Sequence, residues 1–420
     1  MFQGSLVHDL KRSYYENLIE AKLNSLRVNR REQIKQKLFA TQAEEQAFLV
    51  GVESKASNHD WSAADSLQEL FCLVRTAGAR VVGMFSQKLD APSPTYYIGK
   101  GKIAELISRK EQTQYNTVIF DDELSPRQQR NLEELLQVKV IDRTTLILDI
   151  FAKQARTHEG QLQVELAQHQ YLLPRLVGQW SHLERLGGGI GTRGPGEAQL
   201  ETDRRLIHKR INRLQHEIEE LRQHRALYRK QRKKIGMPIV ALVGYTNAGK
   251  STLFNALSKA GVVVEDKLFS TLDPVTRRLN LPNGQQFLMT DTVGFIQKLP
   301  SAIIAAFRAT LEELGQADLL LHMVDITHKS AANQCRTVEE ILDELNLRDK
   351  PRITVFNKLD LALSSEGELE ILTAVPCLKE QIVLPNKHIA LISATNYWGL
   401  DKLLSKIISH LENSPIKTLS

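Results

Sequence analysis

Cysteine is nearly missing from this chain: 420 residues hold three, Cys72, Cys335 and Cys377, with no Cys-x-x-Cys pair. That scarcity excludes a disulfide framework and a cysteine-built zinc site. Long apolar runs are missing as well. No stretch reaches the roughly 18 residues that a bilayer crossing needs, and the first ten residues lack the basic start and apolar core of a secretory signal. No membrane anchor is therefore expected, and the chain reads as a cytoplasmic monomer. A strong overall charge is absent too, the net being +6. With 42% hydrophobic and 25% charged residues the composition is that of a globular protein, and the length calls for more than one core.

The modest net charge hides a local concentration. Residues 201–234 carry twelve Lys/Arg against five Asp/Glu, an excess of seven in a chain that nets only +6. The same segment places Ile207, Ile211, Leu214, Ile218 and Leu221 at spacings of 4, 3, 4 and 3, the seam of a coiled coil. Just before it, residues 187–196 hold six glycines, a density that forbids regular structure and lets the chain reverse. Ahead of that loop runs another helical pattern, residues 164–185, interrupted by Pro174. The simplest arrangement is an antiparallel helical hairpin with a basic outer face.

Around this hairpin the pattern is strand-helix alternation, so the expected class is α/β. FLVGVES, VVGMFSQ, TVIFDD and VKVID, all before residue 143, alternate with helical stretches at 62–76, 102–112, 126–136 and 144–156. They predict a small parallel α/β domain. The expected division is a helical extension over 1–46, the α/β domain over 47–160, the hairpin with its glycine-rich loop over 161–236, and a phosphate-loop domain over 237–420. GKGK at residues 99–102 reads first as a turn, with a phosphate cradle as the alternative.

The chemistry lies in the last of these segments. GYTNAGKST, from Gly244 through Tyr245, Thr246, Asn247, Ala248, Gly249, Lys250 and Ser251 to Thr252, directly follows an apolar strand and opens a helix. That is the context in which G-x-x-x-x-G-K-[ST] turns backbone N–H groups and a helix N-terminus toward phosphate. Lys250 would reach the terminal phosphates and Ser251 would ligate Mg2+. Three more motifs follow in order, each after an apolar run: Asp291-Thr292-Val293-Gly294, Asn357-Lys358-Leu359-Asp360 and Ser393-Ala394-Thr395. Asp291 can hold the metal through water, and the Gly294 N–H can sense a γ-phosphate. Asp360 can accept from N1–H and the exocyclic amine of guanine, a donor pair that adenine lacks. In the order found, the four motifs specify GTP and GDP. Directly after Gly294, where Ras-like enzymes place a water-orienting glutamine, the chain has Phe295, which cannot orient a nucleophile. Asn247 stands where a subset of such GTPases ligates K+ between the phosphates, so K+ is a candidate second cation.

These motifs resemble the HflX family of translational GTPases, and the resemblance extends beyond them. It includes TYYIGKGK (95–102), FDDELSPRQQRNLE (120–133), the run from residue 140 to 168, GGGIGTRGPGEAQLETDRR (187–205) and LFSTLDP (268–274). The resemblance implies Mg2+-dependent GTP hydrolysis, binding to rRNA of the large ribosomal subunit, and splitting or rescue of stalled ribosomes. It places Phe269, Ser270, Thr271, Leu272 and Asp273 in the loop that closes over the nucleotide, with Thr271 chosen over Ser270 and Thr276 as catalytic and metal-ligating hydroxyl beside Lys250 and Gly294. Independently, a basic helix suits RNA phosphates, and Arg193, Arg204, Arg205, Lys209 and Arg210 are the expected contacts. The alternative partner is a protein or a membrane surface, with the hairpin as an assembly arm.

Overall fold

A computed structural model describes residues 45–54, 61–179, 195–234, 237–258, 268–269, 271–300, 303, 314–362 and 389–413. Apart from its last two residues, the extension expected over 1–46 lies outside that set, as do Arg193, Ser270 and the glycine-rich loop up to residue 194.

The first strand, β1 (Gln46–Ser54), carries Ala47, Phe48, Leu49 and Val50 in succession, all fully buried. Burial of consecutive residues means both faces are covered, which a parallel sheet flanked by helices provides. With β2 (Arg80–Leu89), β3 (Thr117–Phe120) and β4 (Lys139–Asp142) it forms an all-parallel sheet of order β2-β1-β3-β4. The intervening helices are α1 (Ala63–Ala77), α2 (Lys100–Thr113) and α3 (Pro126–Leu136), and α4 (Arg143–Gln154) follows β4. Their starts are encoded locally. Ser62 accepts from the Asp65 N–H, Asp142 accepts from the Thr145 N–H, and Ser125 with Gln128 makes a reciprocal capping box ahead of Pro126. Each arrangement satisfies N–H groups that a helix start leaves unpaired. The GKGK segment is such a start: Gly99 caps α2, while Lys102 pairs with Glu105 at 2.6 Å and lies over the Phe85 ring. Of its two lysines, Lys102 is engaged within the sheet region, which favours the turn over the phosphate cradle.

The hairpin follows. Helix α5 (His158–Gln179) carries Pro174 inside it, and α6 (Pro195–Lys234) runs back along it. Glu159 pairs with Arg225 and Glu165 with Arg210. The partner number falls as the α5 number rises, so the helices are antiparallel. Leu162 and Leu166 meet Ile211 and Leu214 in the seam, flanked by Ile207, Ile218 and Leu221, the five positions that the heptad spacing selected.

The second sheet has order β10-β9-β8-β5-β7-β6. Its strands are β5 (Ile239–Gly244), β6 (Val275–Asn280), β7 (Gln286–Asp291), β8 (Leu319–Asp325), β9 (Arg352–Asn357) and β10 (Ile389–Leu391). All pair in parallel except β6 with β7. From β5 the chain goes to β7 on one side and returns to β8 on the other. That reversal opens a crevice at the carboxyl ends of the strands, where helix α7 (Lys250–Ser258) starts.

One apolar cluster spans both sheets. It joins Leu49, Leu70, Ile147 and Phe151 of the first to Val243, Tyr245, Phe269, Phe295 and Leu314 of the second. A buried polar chain crosses the same boundary. The Arg143 guanidinium, 2% exposed, lies between Glu69 and Asp121, the latter at 2.7 Å. Asp121 also takes the Ser66 hydroxyl and Lys298, each at 2.5 Å. Burial opposes the Asp121 charge, but Arg143 and Lys298 more than offset it and hold the carboxyl below its ordinary pKa. Such a pair costs desolvation, which the bonds from both terminal nitrogens of Arg143 offset although its Nε stays unpaired.

Candidate functional site

The loop after β5 is shaped by backbone conformations that its residues permit. Gly249 has φ 90°, and a Cβ there would meet the Asn357 side-chain nitrogen at 2.1 Å. Asn247 has φ 61°, a left-handed conformation for which asparagine is among the better-suited side chains. The loop curls around the Lys250 ammonium, which donates to the carbonyls of Gly244 at 3.1 Å and Tyr245 at 2.7 Å. Burial pulls its pKa down from 10.5 to about 8, against a smaller opposing pull from Asp291.

Beside it three oxygens converge. The Ser251 hydroxyl lies 2.7 Å from that of Thr271 and 2.6 Å from Asp291 Oδ2, and Thr271 reaches the same carboxylate oxygen at 3.1 Å. The other oxygen, Asp291 Oδ1, is buried and has no hydrogen-bond partner. Burial raises the Asp291 pKa despite hydrogen bonds from both hydroxyls. Two hydroxyls and a carboxylate with one orphaned oxygen make the hard-oxygen ligand set that Mg2+ takes, so the residues fit that ion. The Gly294 position also needs glycine: a Cβ there would lie 2.9 Å from Thr246 Cα and 3.0 Å from Lys250 Nζ.

At the other end of the crevice, Asp360 sits in the one-turn helix α8 (Leu359–Ala362) and accepts from the Ser393 hydroxyl at 2.6 Å. Ser393 also accepts from the Asn396 N–H at 3.1 Å. The hydroxyl uses one lone pair of Oδ1, so both carboxylate oxygens of Asp360 retain acceptor capacity. Lys358, with φ 67°, is tied to Asp325 at 2.7 Å. Asn357 donates to the Ala248 carbonyl and accepts from the Ala394 N–H, both at 3.0 Å. Its side chain thus fastens the phosphate loop to the Ser393-Ala394-Thr395 loop. Thr395 is exposed, while Thr252 and Thr246 line the phosphate pocket with Phe269.

Four positions behave differently from their sequence reading. Tyr245 contributes only backbone to the loop, because its ring stacks on Trp61 and its hydroxyl bonds Glu69. Thr292 and Val293 are turned inward, Thr292 bonding the Leu242 carbonyl at 2.6 Å and Val293 joining the core. Asp273 does not face the crevice: its carboxylate accepts from the N–H groups of Arg156 and Thr157, both at 2.9 Å. Phe295, by contrast, keeps its sequence reading: it is buried, its backbone bridges Gly244 and Thr246, and its side chain cannot address a nucleophile. The next glutamine, Gln297, points to Ser66 at 3.2 Å instead.

On the hairpin, Arg204, Arg205 and Lys209 are exposed. Arg210 is not a free cation. It makes two 2.7 Å bonds to Glu165 across the seam, a bidentate pairing that spends its charge inside the hairpin. A separate cavity of about 590 Å3 opens where the ends of β1 and β3 face Gln297 and Lys298.

Family models match the chain in three consecutive pieces: a GTP-binding GTPase N-terminal region at 64–152, its middle region at 154–232 and a 50S ribosome-binding GTPase at 239–358. The GTPase HflX of Caldanaerobacter subterraneus subsp. tengcongensis is 50% identical over 363 residues, 86% of this chain and 80% of that protein. The chain belongs to the HflX family. The Escherichia coli (strain K12) HflX GTPase is 47% identical over 306 residues, 73% of this chain and 72% of its own. A GTP-binding protein from Sulfolobus solfataricus, solved with GDP, aligns over 87% of this chain and 99% of its own at 26% identity, with a TM-score of 0.44. As an HflX protein the chain is a GTPase, binding GTP and hydrolysing it to GDP and phosphate. Among the described residues no helix is long and apolar enough to cross a membrane.

Proposed function

We propose that this GTPase works on the large ribosomal subunit, meeting rRNA with its helical hairpin and splitting or rescuing stalled ribosomes under the control of GTP. Supporting the partner is the hairpin surface: Arg204, Arg205 and Lys209 stand exposed on a helix whose apolar side is sealed against α5. The family model matched at 239–358 carries a 50S-binding description, in keeping with that choice. In this reading the phosphates lie over the N–H groups of residues 247–251, with Lys250 against the terminal oxygens. Mg2+ would be held by the hydroxyls of Ser251 and Thr271, with Asp291 reached through water. Bound there, the ion neutralises charge shared between the β- and γ-phosphates. The Gly294 N–H meets the γ-phosphate and Asp360 selects guanine. The division into α/β domain, hairpin and nucleotide domain is part of the same proposal.

Pelleting with purified large subunits in a non-hydrolysable GTP analogue tests the partner. Binding should persist at moderate salt, and Arg204→Ala or Lys209→Ala should each lower the slope of log affinity against log salt by about 1. A protein that stays in the supernatant points instead to a protein or membrane partner.

Asn247 supports a further cation. An amide oxygen held by a left-handed backbone beside the phosphate loop suits K+, and hydrolysis should then run several-fold faster in K+ than in Na+ buffer. Equal rates remove that assignment.

A further inference from the structure

Asp273 lies two residues beyond Thr271, in a segment anchored at both ends outside the nucleotide crevice. Upstream, the Phe269 ring packs edge-on against Phe151 of α4, centroids 4.7 Å apart. Downstream, Asp273 Oδ2 accepts from the N–H groups of Arg156 and Thr157, and Oδ1 takes the Thr157 hydroxyl at 2.5 Å. Thr157 is the residue that starts α5: its carbonyl accepts from the Gln161 N–H, and its hydroxyl oxygen from the Gly160 N–H, both at 3.0 Å. Asp273 therefore grips, from a distant part of the chain, the residue that caps the first helix of the hairpin. An acid at that position also meets the positive end of the helix. The fit leaves no space, since a Cβ on Gly160 would lie 2.3 Å from Asp273 Oδ1. Within the first turns of the same helix, Glu159 and Glu165 hold α6 through Arg225 and Arg210.

We propose that Asp273 is a positioning residue for Thr271, a latch tying the loop that closes over the nucleotide to the root of the helical hairpin. Thr271 sits between two fixed points, so its hydroxyl comes to rest near Ser251 and Asp291 only while both hold. Linkage makes the effect reciprocal: a partner that tilts α5 moves Thr271, and a triphosphate that engages Thr271 biases α5.

The inference rests on the assignment of Thr271 to the triphosphate side, and the test separates the two. In the full chain, Asp273→Ala and Gly160→Ala attack the latch from opposite sides, and Thr271→Ala serves as reference. Thr271 addresses only the metal and γ-phosphate. The two latch variants should thus lower kcat about tenfold and weaken a non-hydrolysable GTP analogue several-fold, with GDP affinity as in wild type. Asp273→Asn keeps one acceptor for the two N–H groups and should restore most of the loss. Normal kcat and normal analogue-to-GDP ratio in both latch variants, with Thr271→Ala impaired, overturn the latch alone. Parallel loss of GDP and analogue affinity overturns it too, as general damage to the pocket. If Thr271→Ala itself behaves as wild type, the assignment falls and the latch with it. Gly160→Ala keeps the test decisive should Asp273→Ala fold poorly.

Discussion

Asp360→Asn should turn a guanine-selective enzyme into one that prefers xanthosine triphosphate. In the proposed site the carboxylate would accept from two adjacent donors of guanine, N1–H and the exocyclic amine, with its plane fixed by the Ser393 hydroxyl at 2.6 Å. An asparagine in that plane keeps one acceptor and turns a donor toward the amine. Loss of one charge-assisted bond and creation of a donor-donor contact cost about 3 kcal/mol, a fall in GTP affinity of roughly 100-fold. Xanthine carries a carbonyl where guanine has the amine, so the new amide finds an acceptor. Competition binding with GTP, ATP and XTP checks this. An unchanged order of preference removes Asp360 from base recognition.

Lys250→Met should abolish turnover and yet make the nucleotide-free protein harder to melt. In the proposed mechanism the ammonium would stabilise charge that develops during phosphoryl transfer, and removing such a donor should lower kcat roughly 1,000-fold. Without phosphate, the same ammonium is buried against two carbonyls, with its pKa pulled from 10.5 to about 8. Between those values the unfolded chain binds more protons than the folded one, so wild-type stability rises with pH across that window. Below pH 8 the whole desolvation cost is present. Methionine fills similar volume without charge, so the variant should melt roughly 3–5 °C higher at pH 7. Calorimetry from pH 7 to 10 should find the gain shrinking as pH rises. A variant that melts lower at every pH contradicts the burial of an uncompensated charge.

How much of this was legible beforehand follows from the range of each signal. The phosphate loop, the metal carboxylate and the guanine loop are short motifs at strand ends, where local backbone requirements dictate residue type. The hairpin seam is legible for the same reason, because heptad spacing repeats along one helix. Arg143, Glu69, Asp121 and Lys298 were invisible: their pairing joins residues 22 to 177 positions apart, and nothing in the spacing of four common charged residues announces it. Arg210 looked like its neighbours on the basic stretch. Only the register of α5 against α6 brings Glu165 opposite it. Tyr245 and Asp273 lie inside motifs whose consensus speaks for their backbone alone, and their side chains are directed by a domain that the motif does not contain. Asn357 belongs to the guanine motif, yet its side chain braces two loops, a role readable only once both are placed.

The apolar cluster that Phe151, Phe269, Tyr245 and Phe295 share bears on how the enzyme can be taken apart. A fragment beginning near Pro238 would keep every nucleotide motif and lose the aromatic and aliphatic neighbours on one flank of its crevice. Rings that are dry in the intact chain would meet water beside the very loop that carries Thr271. Rates measured on such an excised piece would describe a wounded surface, and an increase or decrease relative to the parent would reflect the missing wall as much as any signal it transmits.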